Sequence, residues 1–278
     1  MAARFERRAA PRTATSTAVP AVEWTASRLD LVGDLDAAIA LVGIPTPSAR
    51  ALLPEGLVLA SQDVVPDARH PVLFVMGRQR NVRFACAPVG IDYFEFILAL
   101  PFVEPAGSPA AGAGPFGYMP RLLLDRWLPT VGGRLLLAYD KRRAVISRTE
   151  DNYRIVTPSG DLLLTARFRA APRSAGYRLP SPVREALQLP MISRRARGAW
   201  RYTAADLQLD EAQIDPLEMD LAIEQAFVPG LPTGQFALDA GGGQAFRLRT
   251  SWRLTGPFAR RSPPVRSRAG QSSAETVT

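Results

Sequence analysis

Residues 93–100 read YFEFILAL, a long apolar strand pattern that indicates β-structure. Inside this pattern stands one acidic side chain, Glu95. Successive side chains of a β-strand point to opposite faces, so Glu95 shares its face with Tyr93 and Ile97. That face is either buried or lines a cavity. A carboxylate in apolar surroundings needs a proton or a cationic partner, because an unpaired buried charge is costly. We therefore expect Glu95 to be protonated or to meet a cation.

Outward from this stretch, the chain continues as short apolar runs separated by turn residues. Its 278 residues include 25 Pro and 21 Gly, and 47% are hydrophobic, which suits one large core. Frequent Pro and Gly between short runs favour strands and turns over a helical bundle. The predicted strands are residues 37–44, 72–76, 82–86, 93–102, 118–124, 134–139, 144–147, 153–156, 162–168 and 244–254. The predicted fold class is therefore mainly β (α+β), in a single domain.

Few helices interrupt the strands. Ser48 is the predicted N-cap of a short helix that ends at Leu53 before a proline. Ser181 is the predicted N-cap of a second helix over residues 182–189, where proline occupies the first turn. A third helix is expected over residues 216–226.

Two turns complete the predicted secondary structure. The polar residues 77–81 stand between the runs 72–76 and 82–86, which predicts a β-hairpin. Gly241, Gly242 and Gly243 match no phosphate-binding spacing and predict a turn before residues 244–254. This closing run alternates apolar residues with arginines, so one of its faces should be buried and the other charged.

The net charge of +8 lies mostly at the two ends of the chain. Residues 1–22 and residues 257–278 each contain four arginines against one glutamate, which leaves +2 for residues 23–256. We predict a disordered basic arm at 1–22, one domain at 23–256 and a disordered basic tail at 257–278. The sequence has no nucleic-acid-binding module, so the favoured prediction is no nucleic-acid partner. Binding of nucleic acid or an anionic membrane through the tails is an alternative that deletion of both would test.

Several common functions are excluded by the inventory of side chains. No run approaches the roughly 20 apolar residues of a membrane span, and no apolar segment of a signal peptide follows the first arginines. The predicted location is the cytoplasm, without a membrane. Cys86 and His70 are the single cysteine and histidine, so no disulfide, zinc cluster or Ser-His-Asp system is expected. His70 lies in a polar turn and is expected to be solvated. No cofactor or metal is predicted.

Lys141 is the second ionisable group next to an apolar run, in LLLAYDKRRAVI at residues 135–146. The guanidinium of Arg142 next to it disfavours a protonated amine and so favours a nucleophile that can attack a carbonyl. Asp140 would act in the opposite direction, since a carboxylate stabilises the charged amine. The alternative is that residues 140–143 form an ordinary charged turn between two strands.

Three segments in order along the chain resemble the acetoacetate decarboxylase-like family. Residues 133–142, GRLLLAYDKR, are similar to the family's Gly-Arg-Glu to Pro-Lys-Lys signature, with Asp140 in place of the proline. Residues 93–95, YFE, followed by Pro101 six residues after the glutamate, resemble its Tyr-x-Glu strand. Residues 117–125, GYMPRLLLD, are similar to the stretch between the two. The chain therefore looks like a divergent member, with the match strongest over about residues 72–168.

The resemblance implies a central antiparallel, barrel-like sheet around a pocket, and a lysine that forms a Schiff base with a keto acid. Lys141 stands at that lysine, Glu95 at the pocket glutamate for proton transfer, and Arg142 at the activating cation. The substrate-binding residues that it implies are Tyr93, Tyr118 and, for a carboxylate, Arg28. The implied activity is that of a lyase, by decarboxylation or related aldol or dehydration chemistry, in a homo-oligomer. The alternative is the same fold without lysine chemistry, as a binding protein for a small apolar ligand or another enzyme class.

Overall fold

The computed structural model describes residues 29–107, 115–172, 177–194, 200–238 and 244–258. The predicted arm at 1–22, Arg28 and the predicted turn at 241–243 lie outside these ranges, as does the predicted tail after residue 258. Within the described residues, no helix is long and apolar enough to cross a membrane.

The described part of the chain is mostly β-structure. Its strands are β1 (Leu31–Pro45), β2 (Leu57–Leu59), β3 (Arg69–Phe84), β4 (Ile91–Pro105), β5 (Phe116–Leu124), β6 (Lys141–Arg143), β7 (Val145–Arg148), β8 (Asn152–Val156), β9 (Leu162–Ala170), β10 (Met191–Arg194), β11 (Trp200–Asp206), β12 (Gln213–Ile223), β13 (Gly234–Leu238) and β14 (Ala245–Phe258). Its helices are α1 (Thr46–Ala51), α2 (Trp127–Leu137) and α3 (Ser181–Gln188). The mainly β prediction is confirmed.

Seven of the described strands close into a ring, in the order β1-β3-β4-β5-β10-β11-β14 and back to β1. Neighbours in the ring are antiparallel except for β5 and β10, which are parallel, so the sheet is mixed. The first part of β14 pairs with β12, which begins a second layer of β12, β9, β8 and β7 with β13 at its edge. This single large sheet therefore has a closed part, called the ring below, and an open part, called the second layer.

Both faces of β1 are buried, which explains its continuous apolar sequence. Ala38 and Ala40 belong to the core between the ring and the second layer. Leu35 and Ile39 belong to the core inside the ring, together with side chains of α3. β4 shows the predicted alternation, because Phe96 faces the second layer and its neighbours face the ring interior.

Two of the predicted elements, the hairpin at residues 77–81 and the helix at residues 216–226, are wrong because the first segment and most of the second lie within long strands. No hairpin forms at residues 77–81; β3 runs straight through them, and the irregular register between Gln79 and Val82 takes up the polar segment. Residues 216–226 are not a helix but mostly β12, in which every second residue from Leu217 to Ile223 is buried. A period of two is the strand period, and it outweighs the helix-start signal of a proline.

A third predicted element is wrong next to the candidate lysine. Residues 134–139 were expected as a strand, but they form the end of α2 and the segment after it. A short run of leucines has no period of its own, so it fits a helix as well as a strand. Of these leucines, Leu135 and Leu136 are exposed and Leu137 is buried. Lys141 therefore does not end a strand; it begins β6, which pairs in parallel with β5.

The ends of the other helices also differ from the sequence prediction. α1 begins at Thr46 with Pro45 as N-cap, so Ser48 lies inside the helix. α3 is confirmed, although its N-cap is Pro180 instead of Ser181. In both helices no side-chain cap forms, and a proline in the first turn has the backbone angle that a helix start requires.

His70 is not in a solvated loop. It is a buried residue of β3, and its Nε2 lies 2.8 Å from the carbonyl oxygen of Pro101. Burial lowers the pKa of His70, while the hydrogen bond to Pro101 opposes this shift. His70 thus serves packing between β3 and β4.

Candidate active site

The ring encloses a cavity of about 170 Å³ with a largely apolar wall. Strands β1, β3, β4, β5 and β14 and helix α3 contribute to this wall. Among the described lining residues, the side chains with nitrogen or oxygen atoms are Gln79, Tyr93, Glu95, Tyr139, Lys141 and Trp252. Within the part of the chain that the structure covers, no three His, Cys, Asp or Glu side chains are grouped to hold a metal ion.

Lys141 and Glu95 form a buried ion pair at this wall. Lys141 Nζ lies 2.9 Å from Glu95 Oε1, and the two side chains are 8% and 4% exposed. The cation expected beside Glu95 is therefore Lys141. Over the described residues, Glu95 is the one hydrogen-bond partner of this nitrogen, although an ammonium group has three donors. The remaining donor capacity is available to a ligand.

A chain of hydrogen bonds holds the Glu95 carboxylate in place. Gln79 Nε2 donates to Glu95 Oε2 at 3.1 Å, and Trp252 Nε1 donates to Gln79 Oε1 at 2.9 Å. The indole has only a donor, so it fixes which way the Gln79 amide is turned. Both carboxylate oxygens of Glu95 thus accept a hydrogen bond. These side-chain contacts join four strands at one point: β3, β4, β6 and β14.

Helix α2 positions the lysine side chain. After Leu137 the chain turns at Ala138, which has a left-handed backbone conformation (φ 57°), and Lys141 follows three residues later. Gly133 packs against the lysine stem: a Cβ at this residue would lie 2.4 Å from Cδ and Cε of Lys141. Ser193 Oγ donates to the carbonyl oxygen of Leu137 at 2.9 Å and so anchors the end of the helix. The lysine is therefore confined on the helix side.

Asp140 does not contact Lys141. Its carboxylate is 3.3 Å from both Arg121 Nη2 and Arg142 Nε. Burial raises the pKa of Asp140, and the charge of Arg134 opposes the shift. The Arg142 side chain is 62% exposed and is turned towards Asp140. Thus the guanidinium predicted as activator lies on the outer side of β6, and the cavity side holds Lys141.

The two buried tyrosines of the cavity frame the ion pair. Burial, together with the charges of Glu95 and Asp125, raises the pKa of Tyr93 well above its ordinary value. Burial also raises the pKa of Tyr139, although a hydrogen bond of 2.5 Å between its hydroxyl and Thr203 Oγ1 opposes this. Both phenols remain neutral, so they can supply a wall or a hydrogen bond but no charge.

The predicted substrate-binding residues divide between three places. Tyr93 lines the cavity beside the ion pair. Tyr118 is half-buried and packs against the core between ring and second layer, so it does not line the cavity. Arg28 lies outside the described residues. Within the described wall, Lys141 is the one cationic side chain.

Sequence reasoning missed three residues of the site. Gln79 was placed in a hairpin turn, although a strand continued from Val75 would put it on the same face as Val75. Trp252 was predicted on the buried face of its strand but without a function. Gly133 could not be found from a pattern, because its contact with Lys141 exists only in the folded chain.

The amino-acid composition also contained a signal for the site that sequence reasoning missed. Lys141 is the single lysine of the chain, whereas 33 residues are arginine. Every other cationic position thus carries a guanidinium, and the one amine side chain is the one at the cavity wall.

A mostly β chain whose strands close into a ring has counterparts of the same fold among solved structures. No protein-family model matches the chain, and no curated protein matches it. An acetoacetate decarboxylase-like enzyme from Sphingomonas wittichii RW1 superposes with a TM-score of 0.60 at 13% identity, over 84% of this chain and 94% of that one.

Two further solved structures have the same fold. Acetoacetate decarboxylase from Legionella pneumophila has a TM-score of 0.52 and 15% identity, over 88% of this chain and 92% of that one. The enduracididine biosynthesis enzyme MppR, complexed with pyruvate, has a TM-score of 0.54 and 13% identity, over 82% and 89%. The resemblance to this family is therefore confirmed as a resemblance of fold.

Proposed function

We propose that this protein is an enzyme that forms a Schiff base between Lys141 and a keto acid, and that it acts as a lyase. The observation that carries the proposal is the position of the chain's single lysine: its Nζ is buried at the wall of an apolar cavity, 2.9 Å from Glu95. An arginine would serve an ion pair equally well but cannot lose its proton in a protein. A lysine at this one place therefore supports amine chemistry.

Glu95 can move the protons that the reaction needs. As an ion pair, the lysine is an ammonium and cannot attack a carbonyl, so Glu95 first accepts one of its protons. The free amine attacks the carbonyl carbon, and a proton passes from its nitrogen to the carbonyl oxygen, which gives the hydroxyl of a neutral carbinolamine. The protonated Glu95 then gives its proton to this hydroxyl, which leaves as water. The products are an iminium ion and the Glu95 carboxylate.

The charge of the site is the same before and after this sequence, since the iminium cation replaces the ammonium beside Glu95. In a β-keto acid, the electrons of the bond to the carboxylate flow to the iminium nitrogen, which releases carbon dioxide and leaves an enamine. The enamine carbon takes up a proton from solvent, which regenerates the iminium. Water then hydrolyses the iminium, which releases a ketone and restores the Lys141 ammonium. An apolar wall favours the step that removes the carboxylate charge.

The comparisons support a keto acid as substrate class. Acetoacetate decarboxylase is named for a β-keto acid, and MppR is complexed with pyruvate, a small keto acid. The cavity of about 170 Å³ suits a small molecule. The basic tails play no part in this proposal, and neither nucleic acid nor membrane is a proposed partner; the assembly is proposed to be a homo-oligomer in the cytoplasm.

Reductive trapping tests the proposal directly. With acetoacetate or pyruvate and sodium cyanoborohydride, we expect one stable adduct per chain, found by intact mass and placed at Lys141 by peptide mapping. The chain offers one other amine, the N-terminus, which the mapping separates. Lys141→Arg keeps a cation beside Glu95 and should give no adduct at position 141. A native protein that gives no Lys141 adduct with either keto acid would contradict the proposal.

A second candidate function is binding of a small apolar ligand without lysine chemistry. The largely apolar wall of the cavity favours it. Under this alternative, Lys141→Arg would keep the function of the native protein, whereas the Schiff base mechanism predicts complete loss. Turnover of a keto acid, measured as released carbon dioxide, separates the two.

A further inference from the structure

A second apolar concavity meets the candidate active site from outside the ring. We propose that this outer groove binds the hydrocarbon chain of the substrate, so that the substrate class is a carbonyl compound with an apolar chain too long for the cavity. This inference rests on the proposed function, because it places the carbonyl carbon at Lys141.

The outer groove has a volume of about 410 Å³ and is lined by α2 and by the turn between β3 and β4. It shares five wall residues with the cavity. The shared residues are Leu31, Val82, Tyr93, Leu137 and Lys141. Lys141 thus lies where the two spaces meet, and a substrate bonded to its amine can extend into either.

The size of the cavity decides where a long chain goes. Its 170 Å³ is similar to an apolar cavity of about 150 Å³ that holds benzene, so it has room for roughly six heavy atoms. A carbonyl compound with a longer chain must therefore extend outward from Lys141. The outer groove is the larger of the two spaces.

The walls of the outer groove have the chemistry that an alkyl chain requires. Leu128, Gly132 and Leu136 repeat every four residues and so lie on one face of α2. Opposite them stands Val89, which is 78% exposed. Leu128 and Leu136 are exposed by 60% and 47%. Such a cluster of exposed apolar side chains is typical of a binding surface.

Two details keep the outer groove open and apolar. A Cβ at Gly132 would meet no atom within 4 Å, so this residue leaves space in the wall of α2. Arg83 is the charged lining residue besides Lys141, and its Nη1 donates to the carbonyl oxygens of Ala85 and Ala87 at 3.4 and 3.0 Å. Arg83 thereby stabilises the turn that forms the opposite wall.

A series of methyl ketones from 2-butanone to 2-decanone tests the inference. Each ketone is trapped on Lys141 with sodium cyanoborohydride, and the concentration that gives half of the maximal adduct is measured by intact mass. Full burial of a methylene strengthens binding about fourfold, and a half-open groove gives less. We therefore expect this concentration to fall about twofold for each added methylene.

Variants on one helix show whether the outer groove is the cause. Leu136→Asp puts a charge into the groove, and Gly132→Leu fills it. Both should weaken trapping of 2-decanone at least fivefold more than trapping of 2-butanone. The matched control is Leu135→Asp, since Leu135 is next in sequence, is 70% exposed and does not line the groove. It should keep the chain-length series of the native protein.

Each outcome decides the inference. If every ketone gives an adduct at the same half-maximal concentration, the outer groove does not bind the hydrocarbon chain and the inference is wrong. The Schiff base proposal would still stand. Absence of any ketone adduct in a protein that does form the acetoacetate adduct would overturn this inference alone, whereas absence of both kinds of adduct would remove both proposals. If Leu136→Asp and Gly132→Leu change the sedimentation of the protein but leave the chain-length series intact, the groove is a contact between copies of the chain, and the inference is wrong.

Discussion

In the described part of the chain, two clusters of ion pairs lie on opposite sides of the ring wall; the outer cluster is partly buried and the inner one is buried. Asp36 of β1 lies on the outer side, where Arg247 Nε is 2.9 Å and Arg148 Nη2 is 3.0 Å from its Oδ1. Lys141 and Glu95 lie on the inner side, at the cavity. Asp36 accepts bonds from several guanidinium groups, whereas the described contacts of the lysine amine leave two donors open.

This difference separates a structural cluster from a reactive one. The Asp36 cluster joins β1 to β14 and to Arg148 of the second layer, and both carboxylate oxygens of Asp36 accept hydrogen bonds from guanidinium groups. The Lys141–Glu95 pair joins two strands that are already linked through β5, so the fold does not depend on it for connection. A buried pair with spare donors facing a cavity stabilises little and is suited to a ligand.

The largest expected effect is on stability. Asp36→Ala should lower the free energy of unfolding by about 3 kcal/mol, because it leaves the largely buried side chain of Arg148 without its carboxylate partner. The double variant Lys141→Met with Glu95→Gln replaces a whole pair by neutral groups and should be as stable as the native protein or more so. Urea unfolding followed by circular dichroism measures both. If the double variant loses as much free energy of unfolding as Asp36→Ala, the two clusters do not differ in their contribution to stability.

The second-largest expected effect is on the reactivity of Lys141, through the packing of Gly133 against its side chain. In Gly133→Ala the new Cβ would lie 2.4 Å from Cδ and Cε of Lys141, so the amine must shift. We expect the rate of Schiff base trapping to fall about 10- to 100-fold, since a misplaced reacting group loses this much. With acetoacetate, which is too short to extend into the outer groove, Gly132→Ala is the matched control, because a Cβ there meets open space. Equal rates in the two variants would show that Gly133 does not position the lysine.

The Asp36 cluster should also set the response to acid. Burial alone would raise the pKa of Asp36, but hydrogen bonds and charges from Arg247 and Arg148 outweigh it and lower the pKa to about 2. A folded pKa below the ordinary 3.8 gives stability that is present above that value and is lost as pH falls towards 2. The loss should be about 2 kcal/mol. Melting temperatures between pH 5 and pH 2 should show it in the native protein and not in Asp36→Asn.

The smallest expected effect concerns the hydrogen-bond chain behind Glu95. Trp252→Phe removes the donor that orients the Gln79 amide, which should cost about 1 kcal/mol and slow trapping about fivefold. The pH profile of trapping is the diagnostic readout, since Gln79 acts on Glu95 and a packing defect would leave that profile in place. A change in melting temperature without a change in rate or profile would assign Trp252 to packing alone.

Much of the fold could be predicted from the sequence because strand periodicity is a local property. The alternation in residues 93–100 placed Glu95 on the face that the structure turns into the ring. The errors fell where local signals conflict. Residues 134–139 contain a leucine run that fits either element, and they form the end of α2 and the segment after it, whereas Pro216 suggests a helix start but lies in a strand. In each case the partner surface decided the outcome.

The candidate site was only partly accessible to sequence reasoning. Lys141 and Glu95 came from the resemblance and from their apolar surroundings, and the structure puts them in contact across 46 residues of chain. The sequence analysis predicted that the guanidinium of Arg142 acts on the Lys141 amine because the two residues are adjacent. Adjacent residues of a strand such as β6 point to opposite faces, so adjacency in sequence does not bring these two groups together.

By itself, the sequence determined that the chain is mainly β, that it has a glutamate within an apolar strand, and that it has one lysine. These are matters of composition and short-range period, which do not depend on distant contacts. Only the tertiary structure decided that Gln79 and Trp252 hold Glu95, that Gly133 confines Lys141, and that a cavity and an outer groove meet at its amine. The physical reason is that strand pairing brings together residues far apart in sequence, and no local pattern encodes which strands become neighbours.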